Sequence, residues 1–229
     1  MPKNRPKFLP RVDFAKLNEI FKALPPNCQT KLHTLVDAIF HYNQKYNITG
    51  FKNKEAIFTN FILESLLFFE LETRFDHLQG PLTGIDIGSG AGIPGFILAL
   101  CHPNLKIDSV DKSYAKIEFQ QEFCKKEGVK NFFPHQILLE EWLQNQDRIK
   151  TYHLLVVRAF RPLLTLLQFL TPFSNPEIQI YLWQGQNWEK EWQKWEEKSG
   201  VFQLKKVLPY QIEVENGKRE NFLLQVGRA

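Results

Sequence analysis

The sequence predicts an α/β fold: a mostly parallel sheet with helices on both faces, preceded by a helical segment. Three observations predict it. From residue 82 onward, short apolar runs alternate with windows of helical periodicity, the pattern of strand–helix–strand units. Before that point the apolar residues recur at helical spacing. At the end of the chain, two alternating segments flank Asn216 and Gly217, the signal of a β-hairpin.

The expected organisation is a helical segment over 1–80 and an α/β domain over 81–229. In the first part, Leu32, Leu35, Val36, Ile39 and Phe40 form one helical stripe that begins after Pro25-Pro26-Asn27 and ends near Tyr46. A second stripe through Phe58, Phe61, Ile62 and Leu66 predicts a helix over 55–69, and a shorter helix covers 13–24. In the second part, strands are predicted at 82–87, 106–110, 131–135, 153–157 and 178–183. Helices fall between them at 94–101, 113–127 and 162–170, with a short turn or helix at 139–143. An antiparallel pair at 201–208 and 221–226 completes a seven-stranded sheet.

Composition bounds the function without naming it. Hydrophobic residues at 43% and charged residues at 24% of 229 are ordinary globular usage, which excludes disordered and collagen-like chains. A net charge of +4 and a pI near 8.8 permit a nucleic-acid partner without requiring one. Lys3, Arg5, Lys7 and Arg11 share an acid-free segment that reads either as a phosphate-neutralising arm or as a solvated terminus. No apolar run approaches the roughly 18 residues of a membrane span, and the first residues lack a leader's apolar stretch, so a cytoplasmic protein is expected. Cys28, Cys101 and Cys124 are odd in number and show no C-x-x-C spacing, so neither a disulfide framework nor a metal site is expected.

The chemistry concentrates in one turn. The strand ending Ile85-Asp86-Ile87 runs into Gly88-Ser89-Gly90-Ala91-Gly92-Ile93-Pro94-Gly95 and then an apolar helix. Glycine brings no packing and costs conformational entropy, so this many in one turn implies a ligand close to the backbone. Pro94 suits a first helical turn, where its missing N–H is not needed. Gly90, Gly92 and Gly95 also satisfy G-x-G-x-x-G, so a dinucleotide must be weighed. Asp86 argues against it: a carboxylate two residues before the first glycine repels a pyrophosphate but favours the sulfonium and ammonium of S-adenosylmethionine. The run resembles the first motif of the class I methyltransferases, which implies a Rossmann-like arrangement of the sheet.

Asp111, 19 residues after Gly92, ends the second strand of the domain, where an acid can accept from ribose hydroxyls or cap the helix from Ser113. Leu139 and Glu140 stand where methyltransferases carry an adenine-binding turn, although Glu-Glu before an aromatic is also an ordinary helix start. After the fourth strand comes Arg158-Ala159-Phe160-Arg161. It lacks the Asn/Asp-Pro-Pro-aromatic element shared by methyltransferases of exocyclic amines, and the absence of a Cys after Cys124 excludes the nucleophile of pyrimidine-carbon enzymes. An acceptor atom with its own lone pair, or a small molecule, remains. Arg158 is a candidate for the cofactor carboxylate or a substrate phosphate, or for a salt bridge to Asp86 or Glu140. Trp188, Trp192 and Trp195 at helical spacing read first as a face packed on the sheet and second as a base-stacking surface.

Taken in order, Tyr46-Asn47-Ile48-Thr49, Ile62-Leu63-Glu64-Ser65, the run from Ile85 to Gly95, Val110-Asp111-Lys112 with Lys116, and Arg158-Ala159-Phe160 resemble the bacterial small-subunit ribosomal RNA guanine methyltransferases, earlier named glucose-inhibited division protein B. The resemblance covers about residues 30–226. It implies 7-methylguanosine formation in small-subunit RNA or its particle. It places Asp86, Gly88, Ser89, Gly90, Gly92, Pro94, Gly95, Asp111, Leu139, Glu140 and Arg158 near S-adenosylmethionine. Three departures stand out: Phe61 and Glu64 where the family has the His and Asp of His-x-x-Asp-Ser, and Gln184 where it has Lys before Gly. Methylation of a ring nitrogen that already presents a lone pair needs alignment, not proton removal, so no catalytic base is expected. Lys7, Arg11, Lys52 and Arg161 are candidate phosphate contacts, and a monomer without an obligate protein partner is expected. Two alternatives stay open: a small-molecule methyltransferase with the same turn, and an RNA-binding module that has lost catalysis.

Overall fold

The computed structural model describes residues 6–72, 82–173, 175–198, 200–214 and 217–229. Lys3, Arg5, Asn216 and the expected domain boundary near residue 80 lie outside them.

The first third is helical, as its periodicity requires. Helix α1 (Phe14–Ala23) starts where the Asp13 carboxylate accepts the Lys16 N–H at 2.9 Å. Helix α2 (Pro26–Tyr46) opens on a proline and closes on Asn47 in the left-handed region at φ 47°. The third stretch departs from expectation. It is a regular turn, α3 (Lys54–Ile57), then a π-helical segment Phe58–Leu63, then α4 (Glu64–Leu71). A π turn inserts extra residues into the helix and shifts the phase of everything after it. Residues from Ile62 to Phe68 are consequently buried almost without break, because α4 packs between α1 and the sheet.

The strands are β1 (Lys7–Phe8), β2 (Leu82–Ile87), β3 (Leu105–Asp111), β4 (Phe132–Gln136), β5 (Leu154–Arg158), β6 (Gln179–Gln184), β7 (Phe202–Val214) and β8 (Gly217–Arg228). They form one sheet in the order β1-β7-β8-β6-β5-β2-β3-β4, parallel except where β8 pairs with β6 and β7. Seven strands were expected and eight are present. The extra one is the basic segment at the start, whose Lys7 and Phe8 pair with Lys206 and Val207. It continues as Val12 donates its N–H to the Pro209 carbonyl at 2.9 Å. The segment is therefore fastened to an edge strand rather than free, with Lys7 and Arg11 exposed along that edge. The hairpin is also longer than predicted, since Tyr210 and Ile212 extend its buried face beyond the apolar run that marks it in sequence.

Helices α5 (Gly95–Cys101), α6 (Tyr114–Glu127), α7 (Leu139–Trp142), α8 (Gln146–Ile149), α9 (Leu163–Leu170) and α10 (Trp188–Glu197) complete the chain. Two cores result, one on each face of the sheet, and β5 supplies both: Leu154 and Val156 to one, Leu155 and Val157 to the other. Trp188, Trp192 and Trp195 are each about 4% exposed within the second core, so the helix-face reading holds and the base-stacking reading does not. Cys28 of α2 and Cys101 of α5 are free thiols whose sulfurs lie 2.8 Å apart, a proximity that their separation in sequence hides. Among the described residues no helix is long and apolar enough to cross a membrane.

Candidate active site at the glycine turn

Strand β2 sits between β3 and β5, so the chain order reverses at its carboxyl end, the edge where open parallel sheets bind ligands. The glycine turn begins there. Gly90 has φ +60°, and a Cβ built on it would meet nothing within 4 Å. The turn is held from three sides. Below it, the Asp86 carboxylate accepts the Gly95 N–H at 2.8 Å. Beside it, Asp111 accepts the Gly90 N–H at 2.9 Å with one oxygen and the Ser113 N–H at 2.9 Å with the other. Behind it, the buried Gln120 amide donates to the Ser89 hydroxyl at 3.0 Å and the Gly90 carbonyl at 2.8 Å, while its oxygen accepts from Ser109 at 2.7 Å. Helix α5 begins at Gly95, with Pro94 as the residue before it rather than inside it.

A cavity of about 450 Å³ opens above the turn, within the range of small-molecule sites. Its wall includes Gly88, Ser89, Gly90 and Ala91 of the turn. It also includes Glu64, Arg158, Tyr210 and Arg219, drawn from α4, β5, β7 and β8. Glu64 is 2% exposed. Its carboxylate accepts from the Tyr210 hydroxyl at 2.7 Å and from Arg219 Nη2 at 3.0 Å, and lies 3.6 Å from Arg158 Nη2. Arg219 also donates to Asn60 Oδ1 at 2.9 Å. The chain leaves β5 sharply because Ala159 adopts φ +49°, rare for a residue with a Cβ, which lays the Phe160 ring against Gly88.

The structure separates the sequence-derived candidates. Asp86 is fully buried beneath the turn, where it braces Gly95, and does not line the cavity. Arg158 pairs with Glu64 and not with Asp86 or Glu140. Its Nη1 is buried without a partner, and its guanidinium lies 5.0 Å from the Phe61 ring. Leu139 is buried, and Glu140 is exposed and paired with Arg161 at 2.7 Å; both follow β4 and lie outside the cavity wall. His135 pairs with Asp108 at 2.7 Å, also outside that wall. Phe61, Glu64 and Gln184, the three departures from the family pattern, all line the cavity. Sequence reasoning missed Gln120, Ser109, Tyr210 and Arg219, which carry no motif. The π-helical segment just before Glu64, a form often found at functional sites, is not legible in sequence.

Burial pushes the Asp86 carboxyl up to about 7, reinforced by the Asp111 charge and opposed by the Gly95 N–H and Arg158. Its folded value thus exceeds its ordinary 3.8. The stability it contributes is complete below the ordinary value and is lost as pH rises through the folded one. An Asp86→Asn chain is therefore expected to show a flatter stability profile between about pH 4 and about pH 8, and a higher urea midpoint at the alkaline end. A variant whose profile parallels the native one would contradict this.

The residues present suit S-adenosylmethionine. Gly90 leaves room that a side chain would fill, and the orphaned Arg158 Nη1 can take a carboxylate. A switch-point cavity floored by this turn and flanked by an acid at the end of the adjoining strand defines an S-adenosylmethionine-dependent methyltransferase. Within that class, the family model described as rRNA small subunit methyltransferase G matches residues 28–223, and the chain belongs to that family. It is 31% identical over 164 residues to ribosomal RNA small subunit methyltransferase G of Aromatoleum aromaticum, covering 70% of this chain and 73% of that one. It is 29% identical over 183 residues to the protein of that name from Actinobacillus pleuropneumoniae serotype 5b, covering 80% and 82%. In fold it is similar to a ribosomal protein L11 methylase from Lactobacillus delbrueckii subsp. bulgaricus, with TM-score 0.52, 19% identity, and coverage of 78% and 80%.

Proposed function

We propose that this protein methylates N7 of a guanine in small-subunit ribosomal RNA. The family match across residues 28–223 carries the reading. S-adenosylmethionine supplies the electrophilic methyl group on a sulfonium. The chain's own residues would hold and orient it: the backbone at Gly88, Ser89 and Gly90 by close approach, Asp111 through its remaining lone pairs, and Arg158 for the carboxylate. Asp86 favours a positively charged ligand through the turn, because a nearby cation offsets the burial of its charge.

N7 of guanine presents its lone pair without losing a proton, so rate comes from alignment, which can lower a barrier by roughly 7–11 kcal/mol. Glu64, the carboxylate in the wall, is engaged by Tyr210, Arg219 and Arg158, an arrangement for positioning rather than for taking up a proton. The deciding experiment incubates the protein with methyl-labelled S-adenosylmethionine and unmodified small-subunit RNA or particles, then identifies the labelled nucleoside by mass spectrometry. Label in 7-methylguanosine is the expected result. Label in metabolites alone would favour a small-molecule enzyme, and calorimetry showing no cofactor binding would favour a module that has lost catalysis.

The reading carries with it a cytoplasmic monomer and phosphate contacts by Lys7, Arg11, Lys52 and Arg161. Lys52 is exposed and follows Phe51, which lines the cavity. Arg161 is tied to Glu140 and lies 4.2 Å over the Phe169 ring. Lys52→Ala is expected to reduce the slope of log affinity for RNA against log salt by about 0.7, the value for one phosphate of a single strand. Arg161→Ala should reduce it less, since its charge is already shared. An unchanged slope for Lys52→Ala would remove that residue from the interface.

A further inference from the structure

Exposed aromatic rings cluster beside the cavity. Tyr114 is 63% exposed and Tyr46 is 50% exposed. Tyr114 opens α6 two residues before Lys116, and Tyr46 closes α2 two residues before Ile48; Lys116 and Ile48 both line the cavity. The two rings therefore stand on different helices, each two residues from the cavity wall. They are not loose side chains. The Glu118 carboxylate accepts from the Tyr114 hydroxyl at 2.6 Å with one oxygen and from the Tyr42 hydroxyl at 2.8 Å with the other. Tyr42 in turn lies against Tyr46 with ring centroids 4.6 Å apart. One carboxylate thus links both helices: it holds the Tyr114 phenol directly and holds Tyr42, the ring on which Tyr46 rests, while Tyr46 and Tyr114 themselves remain exposed.

Single exposed aromatics are ordinary; a braced pair at the mouth of a site calls for a ligand. The charges nearby narrow its chemistry. Lys45 and Lys112 are exposed one and two residues from the two tyrosines, and Lys116 lines the cavity, while the acids near them are Glu118, occupied by two phenols, Asp111, held by two backbone N–H groups, and Glu122. Flat π surfaces interleaved with lysines match unpaired nucleotides, whose bases stack and whose phosphates meet the cations.

We infer that Tyr46 and Tyr114 form a stacking platform for unpaired bases adjoining the nucleotide that enters the cavity. This rests on RNA being the acceptor. Pre-oriented rings lose little freedom on binding, so each contact is realised nearly in full.

The test uses the full-length protein and unmodified small-subunit RNA. Tyr114→Ala and Tyr46→Ala should each raise KM for RNA by roughly fivefold to a hundredfold, with the cofactor Kd unchanged by calorimetry. Tyr114→Phe and Tyr46→Phe should stay within about threefold of the native KM, since the ring is retained. In the native protein, RNA carrying 5-iodouridine beside the target should photocrosslink to peptides containing Tyr46 or Tyr114. An unchanged KM in both alanine variants, equal losses in the alanine and phenylalanine variants, a rise in cofactor Kd instead of KM, or no crosslink from an RNA that is methylated would each overturn the platform. A native protein that does not methylate RNA would instead overturn the function proposed above.

Discussion

A Gly92→Ala chain is expected to lose about 3 kcal/mol of folding stability, measured as a lower urea midpoint. Two penalties add. Gly92 has φ +85°, where a Cβ clashes with its own backbone. The new Cβ would also stand 2.2 Å from Phe96 Cδ2. Phe96 cannot yield, because it is fully buried and stacked on Phe132 with centroids 3.8 Å apart. Gly90→Ala separates folding from binding. Its φ of +60° carries a similar backbone penalty, but its Cβ would enter open space. That variant should fold with a loss of about 1–2 kcal/mol, while calorimetry should show cofactor affinity weakened by about tenfold or more. A Gly90→Ala protein that binds S-adenosylmethionine as tightly as the native one would mean that the turn does not cradle the ligand.

Glu64→Ala is expected to destabilise by about 3 kcal/mol and to lower kcat/KM for methyl transfer by about a hundredfold. The first effect follows from what the carboxylate leaves behind. Tyr210 is 1% exposed and the Arg158 side chain 13%, so neither can turn to water for a replacement, whereas the Arg219 side chain at 45% can. The second follows from position, because Arg158 then loses the anion that aims it at the cavity. Glu64→Gln keeps the shape and one acceptor oxygen but not the charge, and should fall between the two on both measures. An alanine variant with native stability and rate would show that the cluster is incidental.

Much of the fold was legible along the chain because it depends on local rules. Residues 82–87 and 153–157 read as strands because short apolar runs there alternate with helical windows, and β2 and β5 lie inside the sheet. The errors have long-range causes. Strand β1 is two residues of a charged segment, and only the hydrogen bonds offered by the open edge of β7 make it a strand. The π-helical segment from Phe58 to Leu63 packs against α1, α2 and β7, contacts that periodicity along a single helix does not record. Tyr210 and Arg219 belong to a hairpin whose polar half has no strand pattern strong enough to predict.

The amino-acid sequence by itself determined the glycine turn, the alternation that makes a parallel sheet, and with them the class of cofactor, because backbone conformation and hydrophobic periodicity are written within a few neighbouring residues. Tertiary structure alone decided where the charges went. It drew Asp86 under the turn, gave both Asp111 oxygens to backbone N–H groups, and assembled Glu64, Arg158, Tyr210 and Arg219 from four separate elements. A carboxylate's role depends on which donors reach it and how far water is excluded, and both are set by segments distant in the chain.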